Sequence, residues 1–226
     1  RRQRQMCIRD RLTTITDLKR IRYTTSHPIN MDDELIELHG NNKKLMPFLH
    51  LPVQSGSSKI LKMMNRKYDV EFYRDIIFKI RDKSPNIEIS SDFIIGYPGE
   101  SEKDFIDTLK LIDDIKFTQS YSFIYSARPG TKSAMIKDNL TKKVKSERLK
   151  ILQSKLTEIQ HDFNKTHVGK KTSVLIENQS ATNPEYYFGR TPYMQSVYIK
   201  SKKIKPGSEV DVQINSCNHK SLYANF

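Results

Sequence analysis

The stretch HLPVQSGSSKILKMMNR, His50 to Arg66, decides the fold. An apolar run, Phe48 to Val53, meets Gln54-Ser55-Gly56-Ser57 and passes straight into a helical pattern. Two readings of this strand-to-helix corner are open. In one it is turn chemistry, with Gly56 relieving crowding and Ser57 or Ser58 capping the next helix. In the other it is a ligand site, because such corners at the C-terminal ends of parallel strands hold small polar groups against a cofactor.

The same alternation continues on both sides. Ile21 to Thr24, Phe48 to Val53, Ile87 to Ile95 and Gln119 to Tyr125 read as strands, each ended by a polar or glycine-rich loop. Between them lie helical patterns. Met31 to Leu38 carries Asp32 and Asp33 in its first turn, and Ser57 to Met64 is short. Asp69 caps a third helix with Val70, Tyr73, Ile76, Ile77 and Ile80 on one face. Ser101 and Asp104 resemble a capping box ahead of a fourth, with Phe105, Leu109 and Ile112 inward. Strand alternating with helix predicts an α/β fold with a parallel sheet, either an open wound sheet or part of a barrel. Thr141 opens a long basic helix reaching to about Asn164. Beyond Val168-Gly169 the chain changes to short β-like runs, Lys171 to Glu177, Tyr187 to Arg190, Val197 to Lys200, Glu209 to Ile214 and Leu222 to Phe226. These predict a small all-β barrel.

The chain has 226 residues and a net charge of +13, unevenly spread. Residues 12–136 are nearly neutral at +1, whereas 1–11, 137–167 and 168–226 each carry +4. Basic ends on a neutral body point to a polyanion, nucleic acid above all. In the last block Arg190, Lys200, Lys202, Lys203 and Lys205 alternate with Tyr186, Tyr187, Phe188, Tyr193 and Tyr198. That combination suits phosphate contact plus base stacking, with about half of the rings expected in the small core. No apolar run approaches the roughly 20 residues of a membrane span, and no secretory signal is visible. Two distant cysteines, Cys7 and Cys217, form neither a disulfide framework nor a metal cluster, so no metal ligand is assigned and a reducing cytoplasm is the default setting.

TTSHP (24–28), HLPVQSGS (50–57), SSDFIIGYPGESEKDF (90–105) and FIYSARPGT (123–131), in this order, resemble the tRNA methylthiotransferases of the MiaB type. FGRTPYMQSVYIK (188–200) and PGSEVDVQI (206–214) resemble their TRAM domain. The resemblance implies the C-terminal part of a partial (β/α) radical S-adenosylmethionine barrel over 12–136, a connecting helix over 137–167 and a TRAM barrel over 168–226. It also implies S-adenosylmethionine across the strand ends, with Ser26, Gln54, Ser55, Asp92 and Arg128 as cofactor contacts. Gln54 and Ser55 would meet the ribose or the methionine end, and Arg128 the cofactor carboxylate or a tRNA phosphate. The bland alternatives are that Gln54 satisfies backbone groups, Asp92 caps a turn and Arg128 is merely exposed. On the RNA side Arg190, Tyr193, Lys200, Lys202, Lys203 and Lys205 are the candidates.

Family members modify C2 of N6-isopentenyladenosine next to the anticodon, using two 4Fe-4S clusters and an electron donor. A CxxxCxxC loop and three further cysteines hold those clusters, and this chain has neither. The expectation is therefore a C-terminal fragment without the first two barrel strands, inactive alone, with residues 1–11 foreign or, alternatively, a native basic arm. A non-catalytic RNA-binding module using the barrel half as scaffold is the alternative.

Overall fold

The computed structural model describes residues 11–25, 27–201 and 203–226. Packing divides the chain into two compact units, one through Leu156 and one from Thr157 to Phe226. The division falls part-way along the long helix that the sequence sets apart as a connector.

The first unit is α/β. Helix α1 (Asp33–Asn41) precedes strand β1 (Phe48–His50), followed by α2 (Ser58–Met63) and α3 (Val70–Lys83). Strands β2 (Glu88–Ser90) and β3 (Asp92–Ile95), helix α4 (Glu102–Ile115), strand β4 (Tyr121–Ile124) and helix α5 (Lys142–Lys165) complete the order. β1 pairs with β2 and β3 with β4, both parallel. The apolar run at 87–95 is thus two strands, interrupted at Ser91. Its N–H receives no ladder partner and donates instead to Ser120 Oγ at 2.9 Å. Ile21 and Thr24 enter only as single parallel bridges, to Leu45 and His50.

The helices start where their side chains can cap them. Asp32, Ser57 and Asp69 accept from the N–H groups of Leu35, Ile60 and Phe72, and Ser101 with Asp104 forms a complete capping box. Val70, Tyr73, Ile76, Ile77 and Ile80 are all buried, as the spacing predicts. Leu49, Leu51, Ile89 and Phe93, in and next to the strands, are buried as well. Tyr73 is fully buried and donates its hydroxyl proton to the Leu51 carbonyl at 2.7 Å, so the ring adds core area without an orphaned polar atom. On α4, Phe105 and Ile112 are buried and Leu109 is half-buried, its place in the core taken by Leu111.

Glu88 opens β2 in a partly buried position. Burial pushes its carboxyl up to about 7, with the charge of Arg81 opposing the shift. A folded-state value above the unfolded one of about 4.3 means that the native state holds the extra proton between them. Stability is therefore full below about pH 4.5 and declines as pH rises to 7, by about 2 kcal/mol after solvent screening. Glu88→Gln should remove this decline. Urea midpoints measured from pH 5 to pH 8 check it, and parallel profiles for the two proteins would refute it.

The second unit is a closed barrel in the order β5-β6-β7-β9-β8. Its strands are β5 (Lys171–Gln179), β6 (Tyr186–Arg190), β7 (Ser196–Lys200), β8 (Glu209–Cys217) and β9 (Ser221–Asn225). All neighbours are antiparallel except β7 and β9. Val174, Ile176, Val197, Ile199, Val212, Ile214 and Leu222 fill the interior, following the period of two along each strand. A Cβ on Gly189 would lie 2.5 Å from the Leu175 carbonyl oxygen, so glycine lets β5 and β6 approach.

Candidate cofactor site and nucleic-acid interface

The corner after β1 does two things at once. Gln54 N–H donates to the Asp92 carbonyl and Gln54 C=O accepts from Ile94 N–H, both at 2.9 Å, which pins the corner to β3. Gln54 holds a left-handed backbone, φ 76°, a conformation costly for a residue with a Cβ. Ser55 turns the other way. It is 1% exposed, its Oγ accepts from Ser57 N–H at 3.2 Å, and it lies 3.5 Å from Thr108 Oγ1. Gly56 N–H donates to Thr108 Oγ1 at 3.0 Å, and a Cβ on Gly56 would stand 2.5 Å from Thr108 Cα. The glycine and the serines thus dock the corner on α4, while Gln54 faces a cavity that Ser55, Gly56 and Ser57 do not line.

That cavity, about 400 Å³, is lined by Gln54, Asp92, Ile94, Phe123, Tyr125 and Arg128 among others. It therefore unites three of the predicted cofactor residues. Ser55 does not line this cavity and is buried beside Thr108 of α4, and Ser26 lies outside the described residues. Arg128 is exposed, and its guanidinium forms no ion pair among the described residues. The Tyr125 hydroxyl is buried with no hydrogen-bond partner, an orphaned donor at the cavity wall.

Asp92 has a partner that the sequence reading missed. His50 Nε2 stands 3.5 Å from Asp92 Oδ2. Ser90 Oγ gives its proton to the Gln119 carbonyl at 2.9 Å, so at its 2.9 Å contact with His50 it accepts from Nδ1–H. The signal was strand parity. His50 pairs with Ser90, and Ser90 shares a face with Asp92 two residues on.

Behind β3, the loop from Gly96 to Glu100 is held from inside. Gly96 N–H donates to Glu100 Oε2 at 3.0 Å, and Arg148 Nη1 to the same oxygen at 2.8 Å. The Glu100 side chain is 0% exposed and that of Arg148 7%. Burial pushes the Glu100 carboxyl up, against the pull of Arg148. Arg148 also reaches the exposed Glu102 at 2.8 Å and lies 5.3 Å from the Phe105 ring centre.

In the second unit the predicted RNA residues divide. Lys203 and Lys205 are exposed without ion pairs among the described residues, and Lys202 lies outside them. Lys200 pairs with Glu185 at 3.1 Å. Arg190 donates to the Met194 carbonyl and Ser196 Oγ, and its guanidinium lies 4.9 Å from the Phe188 ring centre. Tyr193 packs edge-on against Phe163 and His167, with centroids 5.7 and 5.4 Å away. Its ring serves packing against the end of α5, a role that TPYM spacing alone does not reveal.

Two protein families match the chain in separate segments. The radical SAM superfamily matches residues 4–112, and the TRAM domain matches 165–226. The chain is thus similar to a radical SAM domain over its first half and to a TRAM domain at its C-terminal end. It is similar to the tRNA-2-methylthio-N(6)-dimethylallyladenosine synthase of Rickettsia felis, 52% identical over 212 residues, which cover 93% of this chain and 47% of that protein. The synthase of Rickettsia rickettsii (strain Sheila Smith) is 51% identical over the same shares. The chain thus spans about half the length of the curated relatives it matches. Among solved structures, Streptococcus suis SuiB bound to S-adenosylmethionine matches with a TM-score of 0.40 and 12% identity, over 57% of this chain and 28% of that one.

The radical SAM match takes in most of residues 1–11, which sequence reasoning set apart as foreign. The residues of this chain do not fit an iron-sulfur cluster. Such clusters need several thiolates, and the chain has Cys7, outside the described residues, and a half-buried Cys217. Among the described residues no three His, Cys, Asp or Glu side chains converge as a metal site. Nor is any described helix long and apolar enough to cross a membrane.

Proposed function

We propose that this chain is the S-adenosylmethionine- and RNA-binding part of a tRNA methylthiotransferase acting at C2 of N6-isopentenyladenosine. Its partners are then tRNA, S-adenosylmethionine and an electron donor, and its setting the cytoplasm. The observation that carries the reading is the cavity where Gln54, Asp92, Tyr125 and Arg128 converge at the ends of parallel strands. The donor set suits the cofactor. Arg128 offers a bidentate partner for a carboxylate, and Asp92 and Gln54 offer acceptors for an ammonium or ribose hydroxyls. Ile94 and Phe123 give an adenine apolar walls. S-adenosylmethionine would offer a transferable methyl group and, on cleavage by one electron from a donor outside this chain, a hydrogen-abstracting radical with methionine as the leaving group. The residues of this chain hold and orient it, and the doubly protonated form of His50 would donate from Nε2 to the Asp92 carboxylate. The scarcity of cysteines favours a second reading, an RNA-binding module that performs no chemistry.

Equilibrium dialysis of radiolabelled S-adenosylmethionine against the whole chain tests the proposal. Saturable binding is expected, about tenfold weaker in Asp92→Asn. Tyr125→Phe should also weaken binding by several-fold without lowering stability, because its hydroxyl is buried with no partner within the protein. Wild-type affinity in both variants would remove this cavity from the proposal.

A further inference from the structure

The barrel carries a row of rings that neither the fold nor the cofactor site uses. Phe188 pairs directly with Tyr198 across β6 and β7, and Tyr198 with Tyr223 across β7 and β9. Their neighbours along each strand, Gly189, Val197, Ile199, Leu222 and Ala224, are buried, so the three rings stand on the outside of the barrel. Ring centroids are 5.5 Å apart for Phe188 and Tyr198, and 5.9 Å for Tyr198 and Tyr223, the latter pair inclined by only 23°. The register places Arg190 beyond one side of the row and Lys200 beyond the other, opposite Ser196 and Tyr186. Tyr198 and Tyr223 also wall a cavity of about 430 Å³, together with Tyr186, Asn183, Asn218 and Lys220.

We infer that this row is a stacking platform for unpaired RNA bases, and that the adjoining cavity accepts one splayed nucleobase. The inference rests on the RNA-binding reading of the barrel and specifies where on it the bases lie. Cross-strand ring pairs do stabilise sheets, but burying them would serve that purpose better, and Tyr223 remains 37% exposed. Flat π-faces take any base, and the exposed Lys220 at the cavity suits a phosphate between bases, whereas Arg190 and Lys200 are paired with Glu177 and Glu185. Residues 168–226 carry net +4, the sign such a ligand requires. Asn183 Nδ2 offers a donor for a base edge, while the Asn218 amide is engaged with Tyr223 Oη and with the N–H groups of Lys220 and Ser221 and fixes the cavity wall. A duplex presents no free base faces and should bind only through its charge.

The test is titration of the whole chain with a fluorescein-labelled 12-nucleotide single-stranded RNA at several salt concentrations. Tyr198→Leu and Tyr223→Leu should each weaken binding about tenfold with an unchanged salt slope, whereas Tyr198→Phe and Tyr223→Phe stay within about twofold. Lys203→Ala with Lys205→Ala should instead flatten the slope of log K against log salt by about 1.4. The chain has no tryptophan, so Tyr198→Trp creates a single reporter whose emission should be quenched by single-stranded RNA and not by duplex. Leucine variants that bind like wild type, beside a flattened lysine variant, would overturn the platform and leave the RNA reading standing. Absence of RNA binding by the wild type would overturn both. Self-association abolished by the leucine variants, with RNA affinity unchanged, would assign the face to a second copy and overturn the platform.

Discussion

Arg148→Met should lower the folding stability of this chain by about 3–5 kcal/mol at pH 8. Among the described residues its guanidinium is the only cation that pairs with the fully buried Glu100 carboxylate, at 2.8 Å. Methionine preserves the aliphatic bulk over Phe105 but leaves the carboxylate with only the Gly96 N–H. The folded state must then either keep an unpaired buried charge or bind a proton there, and both cost free energy. Loss of the Glu102 contact adds little, because that carboxylate is 69% exposed. The sign of the pH dependence follows. Without Arg148 the native Glu100 holds its proton to a higher pH than the unfolded chain does, so the penalty grows as pH rises and shrinks toward pH 5. Adding Glu100→Gln, which keeps an acceptor for Gly96 N–H and removes the charge, should recover most of the loss. Urea unfolding of wild type, single and double variants at pH 5 and pH 8 decides the matter. A deficit that is equal at both pH values and unrelieved by Glu100→Gln would show that the charge pair is not its source.

Gly56→Ala is expected to cost about 3 kcal/mol and to leave much of the protein insoluble. The new methyl would meet Thr108 Cα at 2.5 Å, Asp107 O at 2.7 Å and Thr108 N at 2.9 Å. All three are backbone atoms inside α4, so no rotamer change relieves the contact and the whole helix must retreat. Retreat breaks the Gly56 N–H bond to Thr108 and the Ser57 Oγ bond to Asp104, 3.0 and 2.7 Å in the native protein. Adding Thr108→Ala should therefore give no rescue. Gly130→Ala is the control. Its φ of 79° is left-handed, but nothing lies within 4 Å of a methyl added there, so only the conformational penalty of about 1 kcal/mol applies. Denaturation midpoints separate the two. Equal losses at both positions would mean that backbone conformation, not helix contact, requires Gly56.

Much of this architecture is legible before any coordinates. Asp69, Ser101 and Asp104 announce their helices because capping is a local interaction between residues three apart. The inward face of α3 follows from its 3.6 period, and the barrel strands follow from their turn residues. What escapes is set by long-range geometry. Ile21 to Thr24 has the alternation of a strand yet forms only two bridges. The small polar residues after β1 look alike, yet Gln54 is held at the cavity by β3 while Ser55 is taken by α4. His50 is inconspicuous in the sequence until pairing with β2 puts it beside Asp92. Tyr193 and Tyr198 are both aromatic neighbours of basic residues. One packs on Phe163 and the other stands in the outer row, a distinction decided by the path of the loop before β7.

The order of the barrel strands has a consequence for synthesis. Ribosomes deliver β9 last of the five, yet it sits between β7 and β8 and closes the cylinder. Until Ser221–Asn225 emerge, the earlier strands can form only an open sheet with β7 and β8 as bare edges. The nascent chain therefore cannot complete this unit piecemeal, and its final folding step is the insertion of one short stave between two waiting neighbours. That same stave brings Tyr223, so a stalled or truncated product would lack both the closure and the third ring of the row.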